Sequence, residues 1–197
     1  MIPSKDDITG ILLSGGKSSR MGREKGNIRV GDRFLYKYPL RVLEDVCGEI
    51  LISNCEKDIF EEDHEQVCDE IPDIGPISGI YSALKASSNE INIILSYDLP
   101  LMNEALLLEL VKYSGEADVV LPALSVDKPE PLCGVYHKRT VPKIKEHIDQ
   151  GNYAVHKLIP ELSSKILVID NSMPFYHHDL FMNINSLTDI DRLHGML

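Results

Sequence analysis

Ile8-Thr9-Gly10-Ile11-Leu12-Leu13 runs straight into Ser14-Gly15-Gly16-Lys17-Ser18-Ser19-Arg20-Met21-Gly22. The first six residues form a short apolar run that ends in small residues, so they read as a buried strand. The rest reads as a loop. In an open α/β sheet, ligands bind outside the carboxyl ends of the strands. Glycines there let backbone N–H groups approach a phosphate closely. Lys17, Arg20 and Lys25 add positive charge beside them. A plain strand-to-helix turn is the structural alternative, but the cations favour a phosphate-binding loop.

Downstream the same alternation repeats. Tyr38–Cys47 has helical apolar spacing, and Ile50–Ile52 is a short strand. Val67-Cys68 is a further short strand. Ile77, Ile80, Tyr81 and Leu84 follow i, i+3, i+4, i+7, which predicts a helix over 77–86. Ile91–Leu95 is nearly all apolar and suits a strand covered on both faces. Leu106, Leu107, Leu110 and Val111 mark a helix, and Val119–Leu121 and Leu132–Tyr136 read as strands. Val141–Gln150 is a helix with Pro142 in its first turn and Gly151 just past its end. Ile166–Ile169 is a strand. Leu187, Ile190 and Leu193 mark a last helix, with Ser186 placed to cap it. Strands alternating with helices predict an α/β three-layer sandwich with a mostly parallel central sheet. The longest irregular pieces, 122–131 and 171–182, are loops of the kind that carry binding function.

The chain has 197 residues, which favours a single domain over 1–197, since domains run to ~100–200 residues. No apolar run approaches the ~18 residues that span a bilayer, and residues 1–7 hold no apolar leader core. The four cysteines, Cys47, Cys55, Cys68 and Cys133, form no C-x-x-C pair. A cytoplasmic protein with free thiols is expected, with Cys133 in the core. The net charge of −11 excludes a broad basic face for nucleic acid. The acidic stretch Glu56–Glu70 reads as solvated surface. Binding of a polyanion therefore needs local positive charge, which Lys17, Arg20, Arg23, Lys25 and Arg29 supply.

Two common phosphate loops fail. Gly16-Lys17-Ser18 fits the end of the Walker A pattern, but its first glycine should fall at Ile11. The dinucleotide pattern G-x-G-x-x-G fails because Gly15 and Gly16 are adjacent. Leu13, Gly15, Gly16, Ser18, Arg20, Met21, Gly22 and Lys25 instead resemble the signature of the molybdenum cofactor guanylyltransferases. Asp69 before Gly75-Pro76-Ile77-Ser78-Gly79 is similar to that family's acidic residue and Gly-Pro-Leu-x-Gly segment. Ser96-Tyr97-Asp98-Leu99-Pro100 resembles its Asp-x-Pro metal site. Glu130-Pro131-Leu132 and Asn183-Ile184-Asn185-Ser186 resemble its later motifs. Ser14, Tyr97 and Ser186 depart from the usual alanine, cysteine and threonine.

The resemblance implies a Rossmann-like nucleotidyltransferase (nucleotide-diphospho-sugar transferase) fold. It implies transfer of GMP from GTP to molybdopterin, with Mg²⁺, giving molybdopterin guanine dinucleotide and pyrophosphate. GTP and molybdopterin are the expected small-molecule partners, with transient contacts to proteins that deliver or accept the cofactor. No nucleic acid or membrane is expected as a partner. Leu13, Ser14, Gly15 and Gly16 would meet the nucleotide, with Asn54 and Asp69 on its base or ribose side. Lys25 and Arg20 would meet phosphate oxygens, the first as a mobile point charge and the second as a fork. Asp98 would hold Mg²⁺ through hard carboxylate oxygens; its structural alternative is a cap on the helix after Pro100. Asn183 and Asn185 alternate in an extended segment, so their side chains share one face. They would contact the pterin or support the metal, the alternative being a cap on the last helix. His177-His178 reads as surface. Two other functions remain open: cytidylyl or uridylyl transfer to a pterin, polyol phosphate or sugar phosphate, and nucleotide binding without catalysis.

Overall fold

The computed structural model describes residues 3–14, 28–55 and 63–196. In chain order its strands are β1 (Ile8–Leu13), β2 (Arg29–Val30), β3 (Arg33–Phe34), β4 (Glu49–Ser53), β5 (Glu65–Val67), β6 (Ile91–Ser96), β7 (Val119–Ala123), β8 (Cys133–His137) and β9 (Ser164–Val168). The helices are α1 (Lys37–Val46), α2 (Pro76–Ala86), α3 (Glu104–Val111), α4 (Val141–Asp149), α5 (Val155–Leu158) and α6 (Leu187–His194). Seven strands form one sheet in the order β5-β4-β1-β6-β8-β7-β9, and β2 pairs with β3 in a separate hairpin.

The sheet is parallel except at β8, which runs antiparallel to both β6 and β7. Parallel neighbours need a long crossover, usually helical, whereas antiparallel ones do not. Helix α3 lies between β6 and β7, and α4 and α5 lie between β8 and β9. No helix lies between β7 and β8, so the chain turns back there.

β1 shows why the sheet is covered on both faces. All six of its residues are buried. Ile8 and Leu12 join one core with residues of α1, α3 and α6, while Ile11 and Leu13 join the other with residues of α2, α4 and α5. This is the period-2 alternation of a strand applied to two apolar faces. The three-layer α/β reading therefore holds. Gly10 sets how closely α1 lies on its face. A Cβ there would stand 2.9 Å from Ile50 Cδ1, 3.0 Å from Cys47 Sγ and 3.1 Å from Leu43 Cβ.

Some elements differ from the expectation. β5 covers Glu65–Val67 rather than Val67-Cys68, and β9 begins at Ser164. The hairpin strands have two residues each and α5 has four, too few for any periodicity to show. Capping follows the sequence at the last helix: Asp189 N–H donates to the Ser186 side chain, and the Asp189 carboxylate accepts from Ser186 N–H at 2.9 Å. Among the described residues, no helix is long and apolar enough to cross a membrane.

Candidate functional site

The sheet order reverses between β1 and β6. β4 and β5 build outward from β1 on one side, and β6 begins the other side. At such a switch point the connections leave in opposite directions, and a crevice opens at the strands' carboxyl ends. Leu13 stands in register with Ser53 of β4 and Ser96 of β6. Ser14 donates to Ser53 O through its N–H at 3.4 Å and its hydroxyl at 2.6 Å. Tyr97 N–H donates to Leu13 O at 3.0 Å. The chain leaving β1 is thus tied to both neighbours as it enters the glycine-rich segment. Gly15, Gly16, Lys17, Arg20, Arg23 and Lys25 lie outside the described residues.

Asp98 lies just beyond β6, half-buried. Its carbonyl accepts from Ile184 N–H at 3.0 Å, which brings the Asn183–Asn185 segment to the same edge. Ile184 is buried while Asn183 and Asn185 are exposed, so the two asparagines share the outward face. The edge gains a third segment where Ser96 N–H donates to Leu132 O at 2.9 Å. That contact carries Glu130-Pro131-Leu132 to the site. Residues far apart in the chain therefore meet at one strand end.

The structural alternatives for these residues have other occupants. Asn103, not Asp98, caps α3, accepting from Leu106 N–H at 3.0 Å. Ser186 and Asp189 form the capping box of α6, and Asn185 adds only its backbone N–H to the Asp189 carboxylate, at 3.0 Å.

Charge at this edge is negative among the described residues. Burial, then the Asp98 charge, pushes the Glu130 carboxyl above its ordinary range. The same two causes push the Tyr97 hydroxyl up to about 12. Asp98 and Glu130 thus offer hard oxygen donors within electrostatic reach of each other. Among the described residues, no group of three or more His, Cys, Asp or Glu side chains is arranged to hold a metal. One or two carboxylates completed by phosphate oxygens and water is the donor set that Mg²⁺ uses, and a site built on Asp98 fits it.

The other side of the crevice is formed by the ends of β4 and β5. Asn54 N–H donates to Val67 O at 3.0 Å, and its side chain donates to Gln66 Oε1 at 3.3 Å. Asp69 is half-buried, and burial holds its carboxyl above the usual range against the Ser53 hydroxyl, which lies 3.5 Å away. Ser53 is the residue that sequence reasoning missed here. Its carbonyl anchors Ser14 and its hydroxyl faces Asp69; the only signal was its position at the end of an apolar run. Glu130 was visible only as part of a motif.

Two expectations are located elsewhere or refined. Arg29 lies on β2 with its guanidinium 4.1 Å from the Phe34 ring centroid. With Arg33, Lys37 and Arg41 it lines a recess of about 480 Å³ beside α1. His178 is exposed and pairs with Asp179 at 2.8 Å, while His177 is half-buried with a ring nitrogen 3.3 Å from Leu101 O. Cys133 is fully buried, as expected.

The sequence pattern of the MobA-like NTP transferase domain matches residues 10–165. A Flavobacterium johnsoniae protein named "probable molybdenum cofactor guanylyltransferase" is 33% identical, over 95% of this chain and 97% of its own length. A Bacillus subtilis protein of the same name is 30% identical, over 93% and 92%. In three dimensions the chain is similar to molybdopterin-guanine dinucleotide biosynthesis protein A of Archaeoglobus fulgidus, with a TM-score of 0.81 at 21% identity, covering 95% of this chain and 97% of that one. It is also similar to 2-C-methyl-D-erythritol 4-phosphate cytidylyltransferase of Thermus thermophilus, at 0.68 and 11%, covering 94% and 96%. At those identities the likeness establishes the nucleotidyltransferase fold alone. The sequence match spans most of the chain and begins within β1, and on it the chain belongs to the MobA-like NTP transferase domain family.

Proposed function

We propose that this protein transfers GMP from GTP to molybdopterin cofactor, releasing pyrophosphate. The observation that carries the reading is the meeting of the Leu13-Ser14, Tyr97-Asp98 and Asn183–Asn185 segments at the switch point, in a chain whose relatives are named guanylyltransferases. Leu13, Ser14, Gly15 and Gly16 receive the nucleotide, with Asn54 and Asp69 on its base or ribose side. Lys25 and Arg20 balance phosphate charge. Asp98 is the protein ligand for Mg²⁺. Asn183 and Asn185 face the acceptor, and Asn183 borders a cavity of about 300 Å³ that Leu124, Phe181 and Met182 also line.

The acceptor's phosphate oxygen attacks the α-phosphorus, and the bond to the bridging oxygen of pyrophosphate breaks. The nucleophile is already an anion, so no strong general base is required. Two anions must meet while charge builds on the leaving group, so positioning and charge neutralisation supply most of the rate. Bound Mg²⁺ would neutralise part of the phosphate charge. The chain's own part is to hold the two substrates in line and keep cations beside the triphosphate.

Calorimetry with GTP, CTP and UTP, each with Mg²⁺, tests the base. GTP should bind most tightly; equal binding of CTP would remove the guanine assignment and leave nucleotidyl transfer standing. Pyrophosphate release on adding the pterin acceptor tests the reaction, and binding without release would leave a nucleotide-binding module.

A further inference from the structure

Cys55 and Cys68 are exposed, whereas Cys47 and Cys133 are buried. The exposed pair stands where β4 and β5 end. Ser53 pairs with Val67, and Asn54 N–H donates to Val67 O at 3.0 Å, carrying the ladder past the strand. Each sulfur then reaches across to the opposite backbone. Cys68 Sγ lies 3.8 Å from Asn54 O, and Asp69 N–H donates to Cys55 Sγ at 3.2 Å. The two thiols thereby come within interaction range of each other. Adjacent strands lie ~4.7–4.9 Å apart, and a disulfide needs Cα atoms ~4.4–6.8 Å apart. That register sets Asn54 opposite Cys68, so the two cysteines stand one position apart on adjacent chains, and it is the cross-strand sulfur contacts that bring their thiols together.

We propose that Cys55 and Cys68 form a reversible dithiol–disulfide site that exchanges with small-molecule disulfides. In reducing compartments, disulfides of this kind are transient and redox-responsive. Burial, then the hydrogen bond with Cys68, raises the Cys55 thiol above its ordinary value, which favours Cys68 as the attacking thiol and Cys55 as the resolving one. The Cys68 thiolate attacks one sulfur of R–S–S–R. A mixed disulfide forms, and RS⁻ leaves with the electron pair of the broken bond. Cys55 gives up its proton and attacks the Cys68 sulfur; the Cys55–Cys68 bond forms and the second RS⁻ leaves. Two electrons pass from the cysteines to the small disulfide, and their two protons end on the two released thiols. Cys47 is excluded from this chemistry, because burial pushes its thiol up to about 12; burial likewise holds Cys133 as a thiol.

The test uses the full chain, reduced and then incubated folded with glutathione disulfide, followed by intact mass and peptide mapping. The expected wild-type product has lost the mass of two hydrogens, carries a Cys55–Cys68 linked peptide, and regains all four thiols with dithiothreitol. Cys55→Ser should keep one glutathione on Cys68 as a lasting adduct, Cys68→Ser should take up glutathione more slowly on Cys55, and neither should form an internal bridge. Wild-type protein that holds glutathione on both cysteines without a link overturns the proposal. So does protein that stays unmodified in excess disulfide, or one that links through Cys47 or Cys133.

Discussion

Asp98 and Glu130 sit within electrostatic reach at the end of a buried strand, and the Asp98 charge makes Glu130 costlier to ionise. Structures tolerate like charges in such places when a ligand answers them. Asp98→Asn keeps size and most hydrogen bonding but removes the anion suited to a hard cation. Losing one charge-assisted contact costs ~1.5–3 kcal/mol, so turnover should fall about ten- to a hundredfold. Added Mg²⁺ should recover part of that loss if metal affinity is the defect. Ordinary turnover with ordinary Mg²⁺ dependence would place the ligand elsewhere, and the assignment of Asp98 would fall. Glu130→Gln tests the pair from the other side. The folded carboxyl is held above its unfolded value, so its stabilising contribution is present below that value and is lost as pH rises through the folded pKa. At neutral pH the ionised group opposes folding. The Gln variant should therefore melt higher than wild type near neutrality when no ligand is bound, with the difference closing in acid. A lower melting temperature at neutral pH would mean that Glu130 is held by favourable partners instead.

Helix α2 packs against the site through Gly79. A Cβ there would stand 2.4 Å from Ser53 Oγ and 3.4 Å from Leu13 Cδ2. Gly79→Ala gains up to ~1 kcal/mol in helix propensity, but overpacking costs ~1–3 kcal/mol. Ser53 is buried, so its hydroxyl has little room to yield. Net destabilisation in urea is expected, and Ser53→Ala in the same chain should recover much of it. Additive effects of the two changes would show that the contact does not limit packing. At the far end of the chain, Ser186→Ala removes the α6 cap and should cost ~1 kcal/mol, read as a lower urea midpoint with unchanged slope. Elements with long repeats were legible in the sequence: β1, α2, β6 and α4 were placed within a residue or so, because their apolar period is set by burial. The reversed β8 was not, since strand direction depends on what the connection contains rather than on the strand's own residues. The candidate site's placement was legible where an apolar run ends in a short motif, as for Asp98 just past β6. It was not legible at Ser53, whose role comes from a carbonyl and from its sheet neighbours, which no local pattern encodes.

The whole molecule carries a formal charge of −11 at neutral pH and a pI near 5.0, so acid first relieves self-repulsion and then removes specific carboxylate contacts. Glu49 is placed to report the second effect. It begins β4, at the end of the sheet opposite the candidate site. It accepts from the Thr9 hydroxyl of β1, from Ser88 N–H at 2.9 Å and from the Ser88 hydroxyl at 2.7 Å. It therefore ties two central strands to the turn after α2. Burial is the largest single influence on its carboxyl and pushes it up. The hydrogen bonds from Thr9 and Ser88, with the Lys138 charge, together outweigh burial and hold it below its ordinary value. For a carboxyl lowered in the folded state, the stabilisation is present above the unfolded value and is lost as pH falls through the folded one. Urea titrations at about pH 7, 5 and 3 should thus show wild type losing stability steeply over the last interval. Glu49→Gln should start lower at neutral pH and lose less over that same interval, while nucleotide binding is unchanged because the contact lies far from the carboxyl ends of the strands. Parallel stability profiles for the two proteins would mean that the Thr9 and Ser88 contacts form equally well with a neutral side chain, and the acid sensitivity would then belong to other carboxylates, such as Asp189 in the α6 capping box.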